Sequence, residues 1–392
     1  MKKLTLLFST FLFLFTACSS QSTATQSTEP RTLAIMTHDS FAVSEDVIKS
    51  FEEENNAKVV FLQSGDAGAV LNRAILTRDA PLADLLFGVD NTFLSRALEA
   101  DIFESYESPA LADIEDSFKL DSTHRATPID YGDVCINYDK AYFAENNLPV
   151  PQSLEELTKP EYAGLLVVEN PATSSTGLAF LLATVGHFED SHLDFWSALR
   201  ENGVVVVDGW ETAYRTNFSG SSGRGRQPMV VSYGTSPAAE VIFAETPLDD
   251  APTASILGPD TCFRQIEFVG ILKGTQQQAL AEKFVDFMLS KQFQEDMPLQ
   301  MFVYPVNQNA VLPDVFEKYA QTPGQPAALS TDEIAANRDP WIQAWTDMVM
   351  NPATSSNSTN TLPIFVGAIL IVLAVFVVYR LYKRTGRKQT QK

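Results

Sequence analysis

Residues 32–91 have the sequence TLAIMTHDSFAVSEDVIKSFEEENNAKVVFLQSGDAGAVLNRAILTRDAPLADLLFGVDN. Three apolar runs of strand length alternate here with two helical patterns: TLAIM at 32–36, a helix at 43–55, KVVFL at 58–62, a helix at 69–77 and ADLLFG at 83–88. The first helix places Val47, Ile48 and Phe51 on one face. The order strand–helix–strand–helix–strand is typical of an α/β unit with a mostly parallel sheet.

The same alternation resumes in the second half of the chain. The predicted elements are strand 164–169, helix 178–184, strand 203–207, helix 210–217, strand 229–232, strand 265–272, helix 277–289 and helix 331–348. Ligands of such sheets bind beyond the carboxyl ends of the strands. The loops at those ends are rich in Ser, Thr, Asp and aromatic residues: 37–41, 64–66, 88–91, 170–177, 208–210 and 232–237. A small polar or charged ligand between two lobes is therefore expected.

The N-terminal residues 1–18 predict a secretory signal. Lys2 and Lys3 precede an apolar run, and small residues stand directly before Cys18. That arrangement is typical of a bacterial lipoprotein cleavage site, although Phe15 stands where Leu is favoured. Cys18 is therefore a candidate for lipidation, and an ordinary signal peptide is the alternative.

The C-terminal region contains a second apolar segment, LPIFVGAILIVLAVFVVY at 362–379, which a basic tail at 380–392 follows. Its length is about what a helix needs to cross a hydrocarbon core of roughly 30 Å, and Lys/Arg-rich flanks stay cytoplasmic. The sequence thus predicts a C-terminal transmembrane helix that anchors an extracytoplasmic body at the cell membrane. Residues 19–31 and 351–361 are rich in Ser and Thr and predict a flexible tether and a linker.

Charge and cysteine content exclude several function classes. The net charge of −21 disfavours binding to nucleic acid and to anionic lipid, and it attracts cations. The three cysteines form no CxxC or Cys/His pattern, so no metal site is expected. The sequence contains no GxSxG and no HExxH motif, and we do not expect an enzyme.

Eight motifs occur in order along the chain: THDSFA at 37–42, SGDAGAVLNRAIL at 64–76, ADLLFGVDNTFL at 83–94, PIDYGDVCINYDK at 128–140, NPATSSTGLAFLL at 170–182, GWETAY at 209–214, SYGTSPA at 232–238 and VYPVN at 303–307. This series resembles the thiamine-binding subunits of bacterial ABC transporters. The resemblance implies a two-lobed α/β periplasmic-binding-protein fold of type II with hinge strands. It places lobe 1 at 32–128, the hinge and lobe 2 at 129–262, and the return to lobe 1 with the C-terminal helices at 263–350.

The resemblance also implies a function and a binding site. The protein would capture thiamine or its phosphates and deliver them to an ABC transporter permease, as a monomer and without a cofactor. The implied ligand-binding residues are His38, Asp39, Asp66, Asp90, Thr173, Ser174, Trp210, Tyr214, Tyr233, Thr235, Ser236, Phe302 and Tyr304. Trp210, Tyr233 and Phe302 would offer aromatic faces to a quaternary cation. Asp66 would bind the aminopyrimidine or the cation, or it would only cap the helix that follows.

Two helix starts and two departures from the family pattern bear on the identity of the ligand. Residues 173–177 and 234–236 precede helices, where exposed N–H groups favour a phosphate, but capping by Ser or Thr explains both runs equally well. His38 stands where the family commonly has Tyr, and Phe302 where it has Trp, which weakens an aromatic cage. Another organic cation, a polyamine or ferric ion is therefore the alternative ligand, although the candidate loops lack the Tyr-Tyr pair that is usual for iron in this fold.

The resemblance bears on the two remaining cysteines. Cys135 and Cys262 lie where the hinge strands of this architecture run side by side. An oxidising compartment permits a disulfide bond between them, and two free buried thiols are the alternative.

Overall fold

The computed structural model describes residues 29–222 and 225–351. Several predicted features lie outside these ranges: the signal segment with Cys18, most of the tether and of the linker, the apolar segment 362–379 and the basic tail.

Within the described residues the chain forms eleven strands and twelve α-helices. The strands are β1 Arg31–Thr37, β2 Ala57–Gln63, β3 Leu85–Asp90, β4 Phe103–Glu104, β5 Thr127–Asp139, β6 Leu166–Glu169, β7 Val205–Val207, β8 Met229–Tyr233, β9 Thr253–Ile256, β10 Phe263–Leu272 and β11 Tyr304–Pro305. The helices are α1 Glu45–Asn55, α2 Ala67–Leu76, α3 Leu94–Glu99, α4 Lys140–Glu145, α5 Ser175–Phe188, α6 His192–Glu201, α7 Ser219–Ser222, α8 Ser236–Ile242, α9 Gln278–Met288, α10 Lys291–Gln300, α11 Asp314–Tyr319 and α12 Thr331–Val349. The helix predicted at 210–217 is a π-helix over Thr212–Asn217.

The strands form one continuous sheet that serves two lobes. Lobe 1 is built on β2-β1-β3-β10, in which β1 is parallel to β2 and β3, and β10 is antiparallel to β3. Lobe 2 is built on β8-β6-β7, in which β6 is parallel to both neighbours. The long strand β5 belongs to both lobes, because its first half pairs with β10 and its second half pairs with β8 and β9.

The chain crosses between the lobes on neighbouring strands. Strand β5 leads out of lobe 1, and the segment from β9 to β10 returns to it. A disulfide bond joins Cys135 of β5 to Cys262, which directly precedes β10. Both cysteines are fully buried. The cross-link therefore lies within the hinge that connects the two lobes.

Aromatic packing holds the helices of each lobe on the sheet. In lobe 1, Phe51 of α1 packs against Phe284 and Phe287 of α9 at centroid distances of 5.0 and 5.2 Å. In lobe 2, α5 is buried almost throughout, so it forms the centre of that lobe rather than an amphipathic surface helix.

The C-terminal helix α12 packs on both lobes. Its Trp345 meets Trp196 of α6 edge to face, with the ring centroids 5.5 Å apart. Its Arg338 donates a hydrogen bond of 3.0 Å from Nη1 to Ser95 Oγ of α3. Helix α12 thus supports lobe 2 and lobe 1 behind the hinge.

The fold class predicted from the sequence needs one correction. The two lobes are present, but between residues 29 and 351, leaving out 223 and 224, no helix has the length and apolar character needed to cross a membrane. The longest helix, α12, carries charged residues and buries one side only. The transmembrane helix predicted at 362–379 lies outside the described residues, so it is not part of the fold described here.

We expect that replacing both hinge cysteines, C135A/C262A, lowers the free energy of unfolding by about 3–5 kcal/mol, because the bond spans 127 residues and restricts the unfolded chain. Denaturant titration of the wild type without and with reductant provides the comparison. Equal stability of all three samples, or free thiols in unreduced peptide maps, would contradict the expectation.

Candidate functional site

A cleft of about 960 Å³ lies between the two lobes. Lobe 1 contributes the loop after β1, the start of α2, part of β10 and the segment 300–303. Lobe 2 contributes the start of α5, the segment 210–215 and helix α8. Every one of these pieces except α8 and β10 is a strand end, a helix start or a loop, which agrees with the expected position of a ligand in such sheets.

Aromatic rings form one wall of the cleft. The rings of Trp210 and Tyr214 are stacked, with their centroids 4.9 Å apart and an angle of 14° between them. Trp210 Nε1 donates to Ser232 Oγ at 2.9 Å, and the hydroxyl of Tyr214 donates to Glu240 Oε1 at 2.5 Å. These hydrogen bonds fix both rings, so the wall is preformed. Burial, together with the neighbouring Glu240, raises the pKa of Tyr214 well above its usual value.

A second aromatic pair joins the lobes at the rim of the cleft. Phe243, at the end of α8, meets Phe302 of lobe 1 edge to face at 4.9 Å. Phe302 has a φ of 58°, a left-handed conformation that is uncommon for a bulky residue and often marks functional sites. Its carbonyl accepts a hydrogen bond from Thr235 Oγ1 of lobe 2. The ring and the backbone of Phe302 are therefore both engaged by lobe 2.

Asp66 also connects the two lobes. It caps α2, where Oδ1 accepts the N–H of Ala67 at 2.7 Å. Across the cleft it accepts the N–H of Ser175 at 3.3 Å and, through Oδ2, the N–H of Trp210 at 2.9 Å. Burial raises the pKa of Asp66, and the N–H groups of Trp210 and Ala67 oppose that rise. Asp66 therefore has both of the positions that the sequence suggests, because it caps a helix and lines the cleft.

Three buried carboxylic acids lie side by side on adjacent strands, and we call them the acid row. One of them, Glu267, lines the cleft, and the other two lie behind it. Glu267 of β10 is the register partner of Asp90 on β3 and of Asp130 on β5. Burial raises the pKa of Asp90 to about 7, against hydrogen bonds from Thr92 and Gln265. Burial and the neighbouring Glu267 raise the pKa of Asp130 well above its usual value.

His38 and Tyr233 lie next to the acid row and line the cleft together with Glu267. His38 Nε2 lies 3.6 Å from Glu267 Oε1. Burial opposes the charged form of His38, but Glu267 outweighs it and the pKa is raised. The hydroxyl of Tyr233 donates to Gln265 Oε1 at 2.6 Å, and Gln265 Nε2 in turn donates to Asp90 Oδ2. In the described ranges, no group of three or more His, Cys, Asp or Glu side chains could hold a metal ion.

The hydroxyl groups predicted near helix starts are engaged with protein atoms. Ser174 Oγ lies 2.9 Å from Thr176 Oγ1, and Thr173 Oγ1 donates to the carbonyl of Asp208 at 2.7 Å. Ser236 Oγ lies 2.9 Å from Ser232 Oγ. The sequence suggests a phosphate site at the start of α5. There, the N–H of Ser175 already donates a hydrogen bond to the carboxylate of Asp66.

The structure brings most of the sequence-predicted site residues to one place. The residues that line the cleft are His38, Asp39, Asp66, Trp210, Tyr214, Tyr233, Ser236 and Phe302. Asp90, Ser174 and Thr235 are buried and do not line the cleft, and Thr173 is half-buried and donates to the carbonyl of Asp208. Tyr304 lies apart, because its ring stacks on Tyr131 at 5.2 Å and meets Phe316 at 5.2 Å.

Sequence reasoning missed Glu267, Asp130 and Phe243. The first two have a visible signal, since each is an acidic residue inside an otherwise apolar run, IEFVGIL and PIDYG. Phe243 has none, because its place at the rim depends on where α8 ends.

Comparisons with known proteins agree with this geometry. The family described as bacterial extracellular solute-binding protein matches residues 80–325. The thiamine-binding periplasmic protein of Escherichia coli (strain K12) is 31% identical over 318 residues, which are 80% of this chain and 92% of that protein. The thiamine-binding periplasmic protein of Brucella suis biovar 1 (strain 1330) is 30% identical over 326 residues, which are 80% of this chain and 91% of that protein.

The solved structure of a periplasmic thiamin binding protein has a TM-score of 0.71 and 28% identity, and the match covers 82% of this chain and 99% of that one. The resemblance drawn from the eight motifs is thereby confirmed, as is the two-lobed type II fold. These relatives are solute-binding proteins rather than enzymes. With matching sequence over most of its length and a cleft between its two lobes, the chain belongs to the family of bacterial extracellular solute-binding proteins.

Proposed function

We propose that this protein is an extracytoplasmic receptor that captures thiamine, or its phosphates, between its lobes and delivers it to an ABC importer. The observation that carries the proposal is the combination of the stacked Trp210–Tyr214 wall with acidic groups in one cleft. An aromatic face attracts an organic cation most strongly where water is displaced. The similarity to thiamine-binding proteins supports thiamine as that cation.

The charge and size of the cleft fit such a ligand. Its acidic lining residues are Asp39, Asp66, Glu211, Glu240, Glu245 and Glu267. A volume of about 960 Å³ is at the upper end of the range of small-molecule sites. Another organic cation or a polyamine would meet the same charges, but a polyamine has no ring to place against Trp210.

Contacts across the cleft indicate how the lobes close on the ligand. Asp66 binds two N–H groups of lobe 2, and Phe302 contacts lobe 2 through its ring and its carbonyl. A ligand that touches both walls binds the closed arrangement better than the open one and therefore shifts the population toward closure. A closed, loaded receptor is the form that we expect an importer to recognise.

Replacing Trp210 by Ala should weaken thiamine binding by about 1–3 kcal/mol, because the main cation-facing ring is lost. Trp210→Phe keeps a ring but loses the hydrogen bond to Ser232, so it should recover part of that loss. Isothermal titration calorimetry with thiamine, its monophosphate, its diphosphate and spermidine measures the affinities. If none of the thiamine compounds gives heat with the wild type, the proposed function is wrong.

Replacing Asp66 by Asn should weaken thiamine binding roughly tenfold by disfavouring closure, since hydrogen bonds to a charged acceptor contribute about 1.5–3 kcal/mol. Small-angle X-ray scattering should show that thiamine makes the wild type more compact and D66N less so. Asp79→Asn is the matched control, because it removes the same charge from an exposed side chain outside the cleft. Equal compaction of D66N and the wild type would contradict the role of Asp66 in closure.

A further inference from the structure

We infer that Glu267, with Asp130 and Asp90 behind it, is the subsite for the positive charge of the ligand, and that a cation bound there displaces a proton from the acid row. The inference rests on the proposed function in requiring a cationic ligand. It goes further by assigning the charge to one side chain and by predicting a proton released to solvent.

The register of the central strands carries the first step. Asp90, Glu267 and Asp130 are direct neighbours across β3, β10 and β5, so their side chains lie on the same face of the sheet. Glu267 lines the cleft, whereas the other two are completely buried behind it. A ligand in the cleft therefore reaches Glu267 and feels the charge of the whole row.

The second step concerns the hydrogen-bond donors around the buried carboxyl group of Asp130. Among the described residues, no N–H group and no alcohol or phenol hydroxyl donates to either oxygen of Asp130, and its neighbour is the carboxyl group of Glu267. Like charges on directly opposite strand positions repel, and two carboxylates that share a buried site cannot both be ionised easily. Asp130 therefore keeps its proton when no cation is present, and it shares that proton in a hydrogen bond to Glu267.

The surrounding groups determine how that proton responds. Four titratable side chains face Glu267: His38 in the loop after β1, Asp90 on β3, Asp130 on β5 and Tyr233 on β8. Two more, Asp66 and Asp39, act on His38 from the cleft. Five of these six are neutral when protonated and negative after losing the proton, whereas His38 carries a positive charge when protonated. A fixed cation at Glu267 would compete with that charge and with the shared proton.

The shape of the site suits a flat ring with a permanent charge. Tyr233 lies between the row and the aromatic wall, since its ring centroid is 6.5 Å from that of Trp210 and its hydroxyl connects through Gln265 to Asp90. A thiazolium ring placed there would have aromatic faces beside it and a carboxylate at its charged centre. Its quaternary nitrogen carries no proton, so a proton that is released when this charge binds comes from the protein.

The sign of the pH dependence follows from linkage. A bound cation stabilises the ionised carboxylates and disfavours protonated His38, so both changes release protons. Thiamine should then bind more tightly as the pH rises through the range around 7 in which Asp90 titrates. For each whole proton released, the affinity for thiamine should rise by a factor that approaches ten per pH unit.

Calorimetry of the full chain in phosphate and in Tris at pH 7 tests the inference, with thiamine as the probe. Tris takes up protons with a larger release of heat than phosphate does, so a more exothermic binding enthalpy of the wild type in Tris would show proton release and support the inference. The opposite difference would show proton uptake and overturn it. Glu267→Gln should reduce both the affinity, about tenfold or more, and the proton release. Asp130→Asn removes one acid of the row and leaves Glu267 beside Asp90, so it should keep the affinity and lower the proton release. Glu53→Gln, on the exposed side of α1, is the control and should behave as the wild type.

The outcomes separate the two proposals. Equal enthalpies in both buffers for a wild type that binds thiamine would overturn the inference and leave the proposed function intact. Wild-type affinity and proton release in E267Q would do the same, and circular dichroism and thermal unfolding establish that each variant is folded. No binding heat for thiamine in either buffer would overturn the inference, and no heat for its monophosphate and diphosphate either would overturn the proposed function as well.

Discussion

The pairing of β5 with β10 is the constraint on which the rest of the structure depends. Strand β5 passes between the lobes and β10 begins where the chain returns to lobe 1, so their ladder lies at the hinge and behind the cleft. The ladder places Asp130 beside Glu267, and the disulfide bond between Cys135 and Cys262 closes it at the lobe 2 end. Movement of the lobes must therefore bend strands that also carry the acidic groups of the site.

This placement has an energetic cost that a purely structural sheet would avoid. Adjacent buried acids destabilise the folded protein, because burial and mutual repulsion raise the pKa of Asp130 and of Asp90. His38 and Gln265 offset part of the cost through their contacts with Glu267 and Asp90. Under the proposed function, a cationic ligand would supply the missing positive charge and would be bound more strongly in return.

The sequence predicts the local parts of this molecule better than its long-range contacts. Apolar runs and helix faces locate β1, β2, β3, α1 and α2 within a few residues, because those patterns reflect burial of single elements. The motif series identifies most of the cleft. The double role of Asp66 could not be predicted, since its partners Ser175 and Trp210 lie 109 and 144 residues away. The acid row depends on the register of three strands, with irregularities beside Glu267 that no local pattern shows.

The contact between Asp66 and α5 also bears on which form of the ligand fits. The start of α5 is a natural anion site, because its N–H groups and dipole favour negative charge. In this arrangement the Asp66 carboxylate accepts the N–H of Ser175 there. A phosphate bound at that helix end would have to displace Asp66, and it would break the hydrogen bonds that draw lobe 2 onto lobe 1. Under the proposed function, the unphosphorylated cation would therefore be the form of the ligand that leaves the hydrogen bonds of Asp66 to lobe 2 in place.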